Sequence, residues 1–271
     1  MAERRVSHAA LYLRLATASI ASQMQDRGAF FVQALVGFMV NVVEFLAIAL
    51  LFNRFGALAG FTLPQLGLLY GLVHVGFALA DGVSGGFDAF GNMVRTGDFD
   101  RLLLRPRPSA LLVAGSDLQL RRIGRLLQGA TVLAWGGLRA GVAWSAAKVA
   151  LAAATILAGA CVFLGVFVIQ ATLAFWTTET LEVMNVLTYG GLEQAQFPLS
   201  IYRRGFREFF AVVVPVACAS YFPLLGLLER ADVLGTPGWF HWVAPAAGPV
   251  FLRLALAGWH RGERRYTSTG S

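Results

Sequence analysis

The chain has 271 residues and a net charge of +7, and 57% of its residues are hydrophobic while only 14% are charged. Soluble domains carry about 25% charged residues, so this chain cannot cover a water-facing surface of ordinary composition. A soluble globular enzyme and a disordered chain are both excluded on this ground. The two cysteines lie inside apolar runs and are too few for a disulfide framework or a cysteine-rich metal site.

Six apolar runs approach the roughly 20 residues that a membrane-spanning helix needs. They cover residues 29–52, 66–85, 126–144, 146–175, 209–228 and 240–257. The sixth run is interrupted by Pro245 and Pro249, and a bilayer tolerates such breaks only where neighbouring protein satisfies the freed backbone groups. The predicted fold class is therefore all-α, a polytopic membrane protein with six transmembrane helices.

The basic residues predict the orientation, because cytoplasmic loops of membrane proteins carry an excess of Lys and Arg. With a cytoplasmic N-terminus, all but four of the 22 basic residues fall in or beside cytoplasmic segments, and Arg203, Arg204 and Arg207 are among these. The outer side then holds only Arg54, Arg139, Lys148 and Arg230. This asymmetry predicts that both termini are cytoplasmic, and it explains the positive charge without a nucleic-acid partner.

Two further segments have amphipathic patterns. Residues 7–25 predict a helix lying in the cytoplasmic interface, so the expected organisation is a cytoplasmic N-terminus over 1–28, a six-span domain over 29–258 and a cytoplasmic tail over 259–271. The long basic segment 88–125 lies between the second and third spans and is broken at residues 105–108. Ser109 is expected to cap a second helix that runs to Arg125. A loop of this length inside a compact bundle is usually functional, although its arginines could equally contact anionic lipid.

Polar residues inside the spans are costly and mark candidates for a substrate pathway. These candidates are Gln33, Asn41, Glu44, His74 and Asp81. Glu44 lies near mid-depth and needs a partner or a wet cavity, and His74 on the antiparallel second span is a possible partner. Such a pair could line a pathway or only fix helix packing. A separate amphipathic stretch, expected on the cytoplasmic side, supplies candidates for the inner mouth of a pathway, namely Glu179, Glu182, Asn185 and Tyr202.

Motifs for nucleotide binding, metal-dependent hydrolysis or a nucleophilic serine do not occur in the sequence. The single lysine, Lys148, lies outside any phosphate-binding loop pattern, and the four histidines are scattered. We therefore predict no catalytic residue, no metal site and no cofactor in this chain.

Residues 95–106 read R-T-G-D-F-D-R-L-L-L-R-P and fit the pattern R-x-G-x-(L/F)-D-x-x-L-x-R-P. This element resembles ABC-2-type exporter permeases, in particular a bacterial branch once described as a domain of unknown function. Further similar elements are Phe175-Trp176, residues 197–202, 221–223 and 259–262. The resemblance implies a permease that exports hydrophobic or cationic compounds, such as drugs, antibiotics or lipid-like molecules, across the bacterial cytoplasmic (inner) membrane.

The resemblance also implies partners. These are two cytoplasmic ABC ATPase subunits that hold ATP and Mg, a second copy or a related permease that completes a dimer, and membrane lipids. A cytoplasmic coupling helix between spans two and three is expected to contact the ATPase through Arg95, Gly97, Asp98, Asp100, Arg101, Leu103, Arg105 and Pro106. Two alternatives stay open: an ion-coupled secondary transporter that uses Glu44, His74 and Asp81, and a membrane-embedded enzyme that uses the same residues.

Overall fold

A computed structural model describes residues 17, 21, 27–117, 122–177 and 181–266, and for residues 53 and 181–187 it describes the backbone only. Within these ranges the regular secondary structure is helical, apart from one isolated bridge between Leu58 and Phe61. The predicted interfacial helix over 7–25 lies almost entirely outside the described residues. The α-helices are α1 (Arg27–Phe55), α2 (Leu63–Val83), α3 (Gly85–Asp88), α4 (Phe90–Thr96), α5 (Asp98–Leu103), α6 (Ser109–Ala114), α7 (Ile123–Arg139), α8 (Ala146–Leu173), α9 (Leu181–Ala195), α10 (Arg204–Glu208), α11 (Tyr221–Leu228), α12 (Phe240–Val243) and α13 (Ala247–Glu263).

Four helices in the described part of the chain are long and apolar enough to cross a membrane. They correspond to the first, second, fourth and sixth predicted runs: Arg27–Phe52, Leu63–Val83, Ala146–Leu173 and Phe240–Glu263. In the last of these, the 3-10 turn Ala244–Ala246 joins α12 to α13, so Pro245 changes the helix geometry without ending the span. The all-α membrane fold is thereby confirmed with four candidate spans.

The third and fifth predicted runs differ from simple spans. Helix α7 has 17 residues, and at about 1.5 Å per residue it is shorter than the roughly 30 Å hydrocarbon core. The fifth run is bent by 69° between Arg204–Val213 and Ala217–Leu228, so it is either one broken span or a re-entrant loop. Pro215 lies in the break, where its missing N–H removes a helical hydrogen bond.

Helix α2 forms the centre of the bundle, with α7 on one side and α8 on another, while α13 packs along α8. Glycines allow the close approach of α2 and α7. A Cβ atom added at Gly71 would overlap the backbone of Leu133, and one at Gly136 would overlap the backbone of Leu68. Small residues of this kind let transmembrane helices gain dispersion contacts that larger residues would prevent. Helix α1 packs mainly on α7 and leaves a long apolar face exposed.

The helix bundle has two distinct ends. The inner end is defined as the one that carries the start of α1 and the segment 84–117. The outer end is defined as the one that carries the connections 56–62, 140–145 and 229–239. Two contacts hold the outer connections together. Lys148 Nζ lies 2.8 Å from a carboxylate oxygen of Glu229, and Arg230 donates to the carbonyl of Gly60 at 2.9 Å.

The basic cluster at residues 203–207 lies at the outer end. Arg204 and Arg207 line a cleft of about 570 Å³ together with Val233, Leu234 and Thr236 of the outer connection. The cluster therefore lies at the opposite end of the bundle from residues 95–106, whereas the charge pattern predicts one side for both. The cause is helix α9, which runs from the inner end to the middle of the bundle and carries the chain outward before the fifth apolar run begins.

Candidate functional site

The predicted coupling segment is a pair of short helices at the inner end, α4 and α5. Gly97 separates them in a left-handed conformation with φ +75, which glycine adopts without the strain that a Cβ atom would cause. The hydroxyl of Thr96 donates to Asp98 at 2.8 Å and closes the turn. The helices end before the break at residues 105–108, as the Arg-Pro-Arg-Pro sequence predicts.

One face of the coupling segment is exposed and charged. Asp98 and Arg101 form an ion pair at 3.5 Å with side-chain exposures of 56% and 84%, and the Leu104 side chain beside them is 86% exposed. The predicted contact residues Arg95, Leu103, Arg105 and Pro106 are exposed as well, whereas Gly97 and Asp100 are half-buried. A surface ion pair of this kind contributes little to folding, so its charges remain available to a partner.

The other face of the coupling segment is buried in a group of rings, the aromatic cluster, formed by Phe90, Phe99, Phe175, Trp259 and Tyr266. Phe99 and Trp259 are fully buried, the Phe90 and Phe99 centroids are 4.9 Å apart, and those of Phe175 and Trp259 are 5.0 Å apart. The cluster therefore joins α4 and α5 to the end of α8 and to α13. Edge-to-face pairs of this type add about 0.5–1.5 kcal/mol each beyond their buried area.

Ser109 takes a role that differs from the predicted helix cap. Pro108 occupies the cap position of α6, and Ser109 is the first helical residue. Its hydroxyl accepts a hydrogen bond from Nε1 of Trp259 at 2.9 Å. The helix that begins there ends at Ala114 in the described part of the chain, well before Arg125. The indole needs a buried acceptor, and this need explains why the hydroxyl serves Trp259.

Asp81 lies at the inner end of α2 and is buried in an ion cluster. The sequence had left open whether its side chain only reaches the membrane interface. Arg122 donates to Asp81 and to Asp88, the latter at 3.0 Å, while Nη1 of Arg125 lies 3.4 Å from the Asp81 carboxylate. Burial, reinforced by the Asp117 carboxylate, raises the pKa of Asp88 to about 6. Burial also lowers the pKa of Arg122. Four charged groups thus neutralise one another at the mouth of the bundle.

A cleft of about 430 Å³ opens between α1 and this ion cluster. Three of the predicted pathway residues, Gln33, Asn41 and Asp81, line it together with Tyr189 of α9. Val32, Val36, Gly37, Arg122 and Arg125 complete the lining. A cleft with one apolar helix wall and a few convergent polar groups is typical of a small-molecule site.

Glu44 and His74, the other two predicted pathway residues, come together deeper in the bundle. Nε2 of His74 lies 3.8 Å from the Glu44 carboxylate. The side-chain amide of Gln196 donates to Glu44 at 3.0 Å and to Glu193 at 2.7 Å, so a third segment joins the pair. Neither Gln196 nor Glu193 was among the predicted pathway residues, because the sequence placed both in an amphipathic stretch on the cytoplasmic side.

Tyr70 and Gln128 were also missed, and they extend the polar groups between α1, α2 and α7. The Tyr70 ring stacks on the His74 ring at 3.7 Å, and Gln128 donates to the backbone carbonyl of Asn41 at 3.2 Å. Gln128 offered a signal, because it is an amide near the start of the third apolar run, and the structure buries it. Tyr70 offered none, since a tyrosine in a span is ordinary.

Of the four predicted mouth residues, only Tyr202 has a described side chain. Glu179 lies outside the described residues, and for Glu182 and Asn185 only the backbone of α9 is described. Tyr202 stacks on Phe206 at 4.9 Å, beside the arginines of the outer end. It therefore lies on the side of the bundle opposite the expected inner mouth. Among the described residues, no three histidine, cysteine or acidic side chains meet as metal ligands.

Comparison with known proteins is informative at the level of the family. A family model described as "ABC-2 family transporter protein" matches residues 38–270. Neither a search of curated proteins nor a search of solved structures finds a match. The matched range includes the coupling segment, the ion cluster and the aromatic cluster, and it covers nearly all of the chain. The chain therefore belongs to the ABC-2 family of transporter proteins.

Proposed function

We propose that this chain is the permease subunit of an ATP-driven exporter, and that separate ATPase subunits dock on its coupling segment. The observation that carries the proposal is the two-sided construction of residues 90–106. One side presents Asp98, Arg101 and Leu104 to a partner, and the other side is fixed to α8 and α13 through Phe99. A segment that only bound lipid headgroups would need the first side but not the second.

The construction suggests how force reaches the membrane helices. ATP binding closes the two ATPase subunits, and their movement displaces α4 and α5. Because Phe99 packs on Trp259 and Phe175, the displacement passes to α13 and to the end of α8. Rigid helices that rock about a packed interface convert such small shifts into alternating access.

The cleft beside α1 is the best candidate for the cytoplasmic part of the substrate path. Its apolar wall and its few polar groups suit a hydrophobic or cationic small molecule, such as a drug, an antibiotic or a lipid-like compound. Six membrane crossings, cytoplasmic termini and the bacterial inner membrane complete the proposal. The exposed apolar face of α1 is then covered by lipid or by the second permease of a dimer. ATP and Mg bind to the partner ATPase, and this chain carries no cofactor of its own.

A native pull-down tests the proposal. The tagged chain is purified from its host membrane in mild detergent, and its partners are identified by mass. We expect an ATP-binding subunit, with or without a second permease. The double variant Leu104→Asp/Arg105→Glu should lose this partner, whereas Val233→Asp/Arg204→Glu, which makes the same change of charge at exposed positions of the outer end, should keep it.

A chain that purifies without any ATPase would contradict the proposal. It would instead favour a transporter driven by an ion gradient, which would have to use Glu44 and His74. Asp81 is less available for such a role, because Arg122 and Arg125 already pair with its carboxylate.

A further inference from the structure

The polar group in the middle of the bundle has a chemistry that the exporter function does not by itself explain. We propose that Glu44, Glu193, His74 and Gln196, the acceptor cluster, form a binding site for a protonated amine. The inference rests on the proposed export function and adds to it the chemical class of the cargo, a molecule with an ammonium group that donates hydrogen bonds.

The first argument is an excess of hydrogen-bond acceptors. Nε2 of Gln196 donates to both Glu44 and Glu193, and the single N–H of a neutral His74 ring is the other donor of the cluster. Against these donors stand both carboxylates and the carbonyl oxygen of Gln196. His74 is fully buried, and in the described part of the chain no hydrogen bond of ordinary geometry reaches either of its ring nitrogens, although the Gln196 side chain lies beside the ring. Its Nε2 points at the Glu44 carboxylate from 3.8 Å. The buried Oε1 of Gln196 has no described partner either. Unsatisfied buried acceptors are costly, and a ligand rich in N–H groups would satisfy them.

The second argument is the balance of charge. The nearest cations, Arg122 and Arg125, are matched by Asp81 and Asp88 in the ion cluster. Of the residues that the structure describes, no arginine or lysine nitrogen lies within 4 Å of either carboxylate of the acceptor cluster. Glu44 and Glu193 therefore lack a cationic partner of their own. Arg125 is the cation whose charge acts on Glu44 from a longer distance. Away from bulk water, a cation placed between two such carboxylates gains strongly.

The third argument is access. The side chain of Glu44 is 31% exposed and Glu193 is exposed, so both can meet a ligand. The cleft described above extends along α1 to Asn41 and along α9 to Tyr189. Glu44 lies three residues after Asn41, and Glu193 lies four residues after Tyr189, so both acids stand one helical turn beyond the end of the cleft. A cargo that enters from the inner end reaches the carboxylates next.

Aromatic rings complete the surroundings of the cluster. The Tyr70 ring stacks on the His74 ring with 3.7 Å between the ring centroids, and the centroids of Tyr189 and Phe77 are 6.0 Å apart. Rings of this kind attract cations and tolerate apolar groups attached to them. An amphiphilic amine fits this combination, because its carbon skeleton would lie along the apolar wall of the cleft while its N–H groups reach the acids.

The site should distinguish ligands by their N–H groups as well as by their charge. Three probes with the same dansyl fluorophore and alkyl chain provide the test: a primary amine, its trimethylammonium analogue and its alcohol. Fluorescence titration of the purified chain in nanodiscs made of uncharged lipid gives a Kd for each. We expect the primary amine to bind most tightly and the alcohol least tightly. A single charge-assisted hydrogen bond corresponds to about tenfold in Kd.

Substitutions locate the binding. Glu44→Gln and Glu193→Gln should each raise the Kd of the amine probe about tenfold and leave the Kd of the alcohol unchanged. Glu208→Gln, a control that neutralises an exposed acid of the outer end, should change neither value. Equal binding of the three probes, or amine binding that both cluster variants leave unaltered, would overturn the inference. Proton uptake at the cluster without amine binding would overturn it as well.

The outcome can be separated from that of the exporter proposal. The same membranes are used for the native pull-down described above. If the ATPase partner is present and amine selectivity is absent, only the cargo class is wrong. If amine selectivity is present and the ATPase is absent, the acceptor cluster stands as a binding site while the exporter proposal fails.

Discussion

The indole of Trp259, near the end of α13, donates a hydrogen bond to the hydroxyl of Ser109, which follows the coupling segment. The two residues are 150 positions apart in sequence, and both are buried at the inner end of the bundle. This bond, together with the rings around it, makes α4, α5, α6 and the end of α13 one packed unit. Any partner that moves the coupling segment must therefore move or strain α13.

The Trp259–Ser109 bond should contribute measurably to stability. Ser109→Ala leaves a buried indole N–H without an acceptor, and we expect a loss of about 1–3 kcal/mol. Trp259→Phe removes the donor and keeps an aromatic ring, so the double variant should be little less stable than the worse single one. Unfolding in detergent, followed by intrinsic fluorescence, measures this. Thr131→Ala removes an exposed hydroxyl of α7 and serves as the control, with an expected change within about 0.5 kcal/mol. Strictly additive effects would mean that the bond is not formed.

Charged residues on the exposed face of the coupling segment should affect coupling and leave folding unchanged. Replacing both Asp98 and Arg105 by Ala removes exposed charges whose contribution to stability is about 0–1 kcal/mol. We expect normal membrane insertion and a clear fall in ATPase activity of the complex reconstituted in vesicles. Arg204→Ala, an equally exposed arginine at the outer end, should retain full activity. Unchanged activity in the double variant would remove these residues from the docking surface.

Close packing of α2 and α7 depends on Gly71, and a second glycine of the same helix provides a matched control. A methyl group at Gly71 would overlap the backbone of Leu133, whereas one at Gly82 would meet no atom within 4 Å. Gly71→Ala should destabilise the chain by about 1–3 kcal/mol through overpacking. Gly82→Ala should be neutral or stabilise it by up to about 1 kcal/mol, because alanine favours the helix. Thermal unfolding in detergent compares the two, and equal effects would show that α2 and α7 are not in close contact at Gly71.

The placement of residues 203–207 at the outer end can be tested by labelling from one side of the membrane. In a chain whose Cys161 and Cys218 are replaced by Ala, single cysteines are introduced as Arg105→Cys and Arg204→Cys. A membrane-impermeant maleimide added to spheroplasts should label the second variant and leave the first unlabelled. Inside-out vesicles should give the opposite pattern. If both variants react from the same side, the original orientation predicted from charge is correct.

Sequence patterns predicted the long apolar helices well, because a run of 28 mostly apolar residues such as α8 is long enough to cross a membrane as a helix and too apolar to face water. They also predicted the break at residues 105–108, where proline dictates the backbone. The structure places Arg203, Arg204 and Arg207 at the end of the bundle opposite to the one predicted from charge, because the short helix α9 was not counted as a span. A search for apolar spans of about 20 residues does not count such a helix as a span. The basic residues between it and the next span are then assigned to the same side as residues 95–106.

The site was predicted in part. Gln33, Asn41, Glu44, His74 and Asp81 were identified because polar residues within apolar runs are conspicuous. The Glu44–His74 pair was also predicted, but the partners Arg122 and Gln196 were not, since they come from segments far along the chain. The pairing of Asp81 with Arg122 depends on how α2 and α7 meet, and no local pattern encodes that. The aromatic cluster was not predicted for the same reason. Phe99 and Trp259 lie far apart in sequence, and only the fold brings their rings together.

Site-specific photocrosslinking tests the central claim most directly, namely that an ATPase docks on the coupling segment. A benzoylphenylalanine is introduced in living cells at position 104, where the leucine side chain is 86% exposed at the inner end. A matched position is 233, where the valine is 79% exposed at the outer end. We predict that the probe at position 104 captures an ATP-binding subunit on irradiation and that the probe at position 233 captures none. Capture of no ATPase from position 104, in cells whose membranes contain the full-length chain with the probe incorporated, would contradict the account.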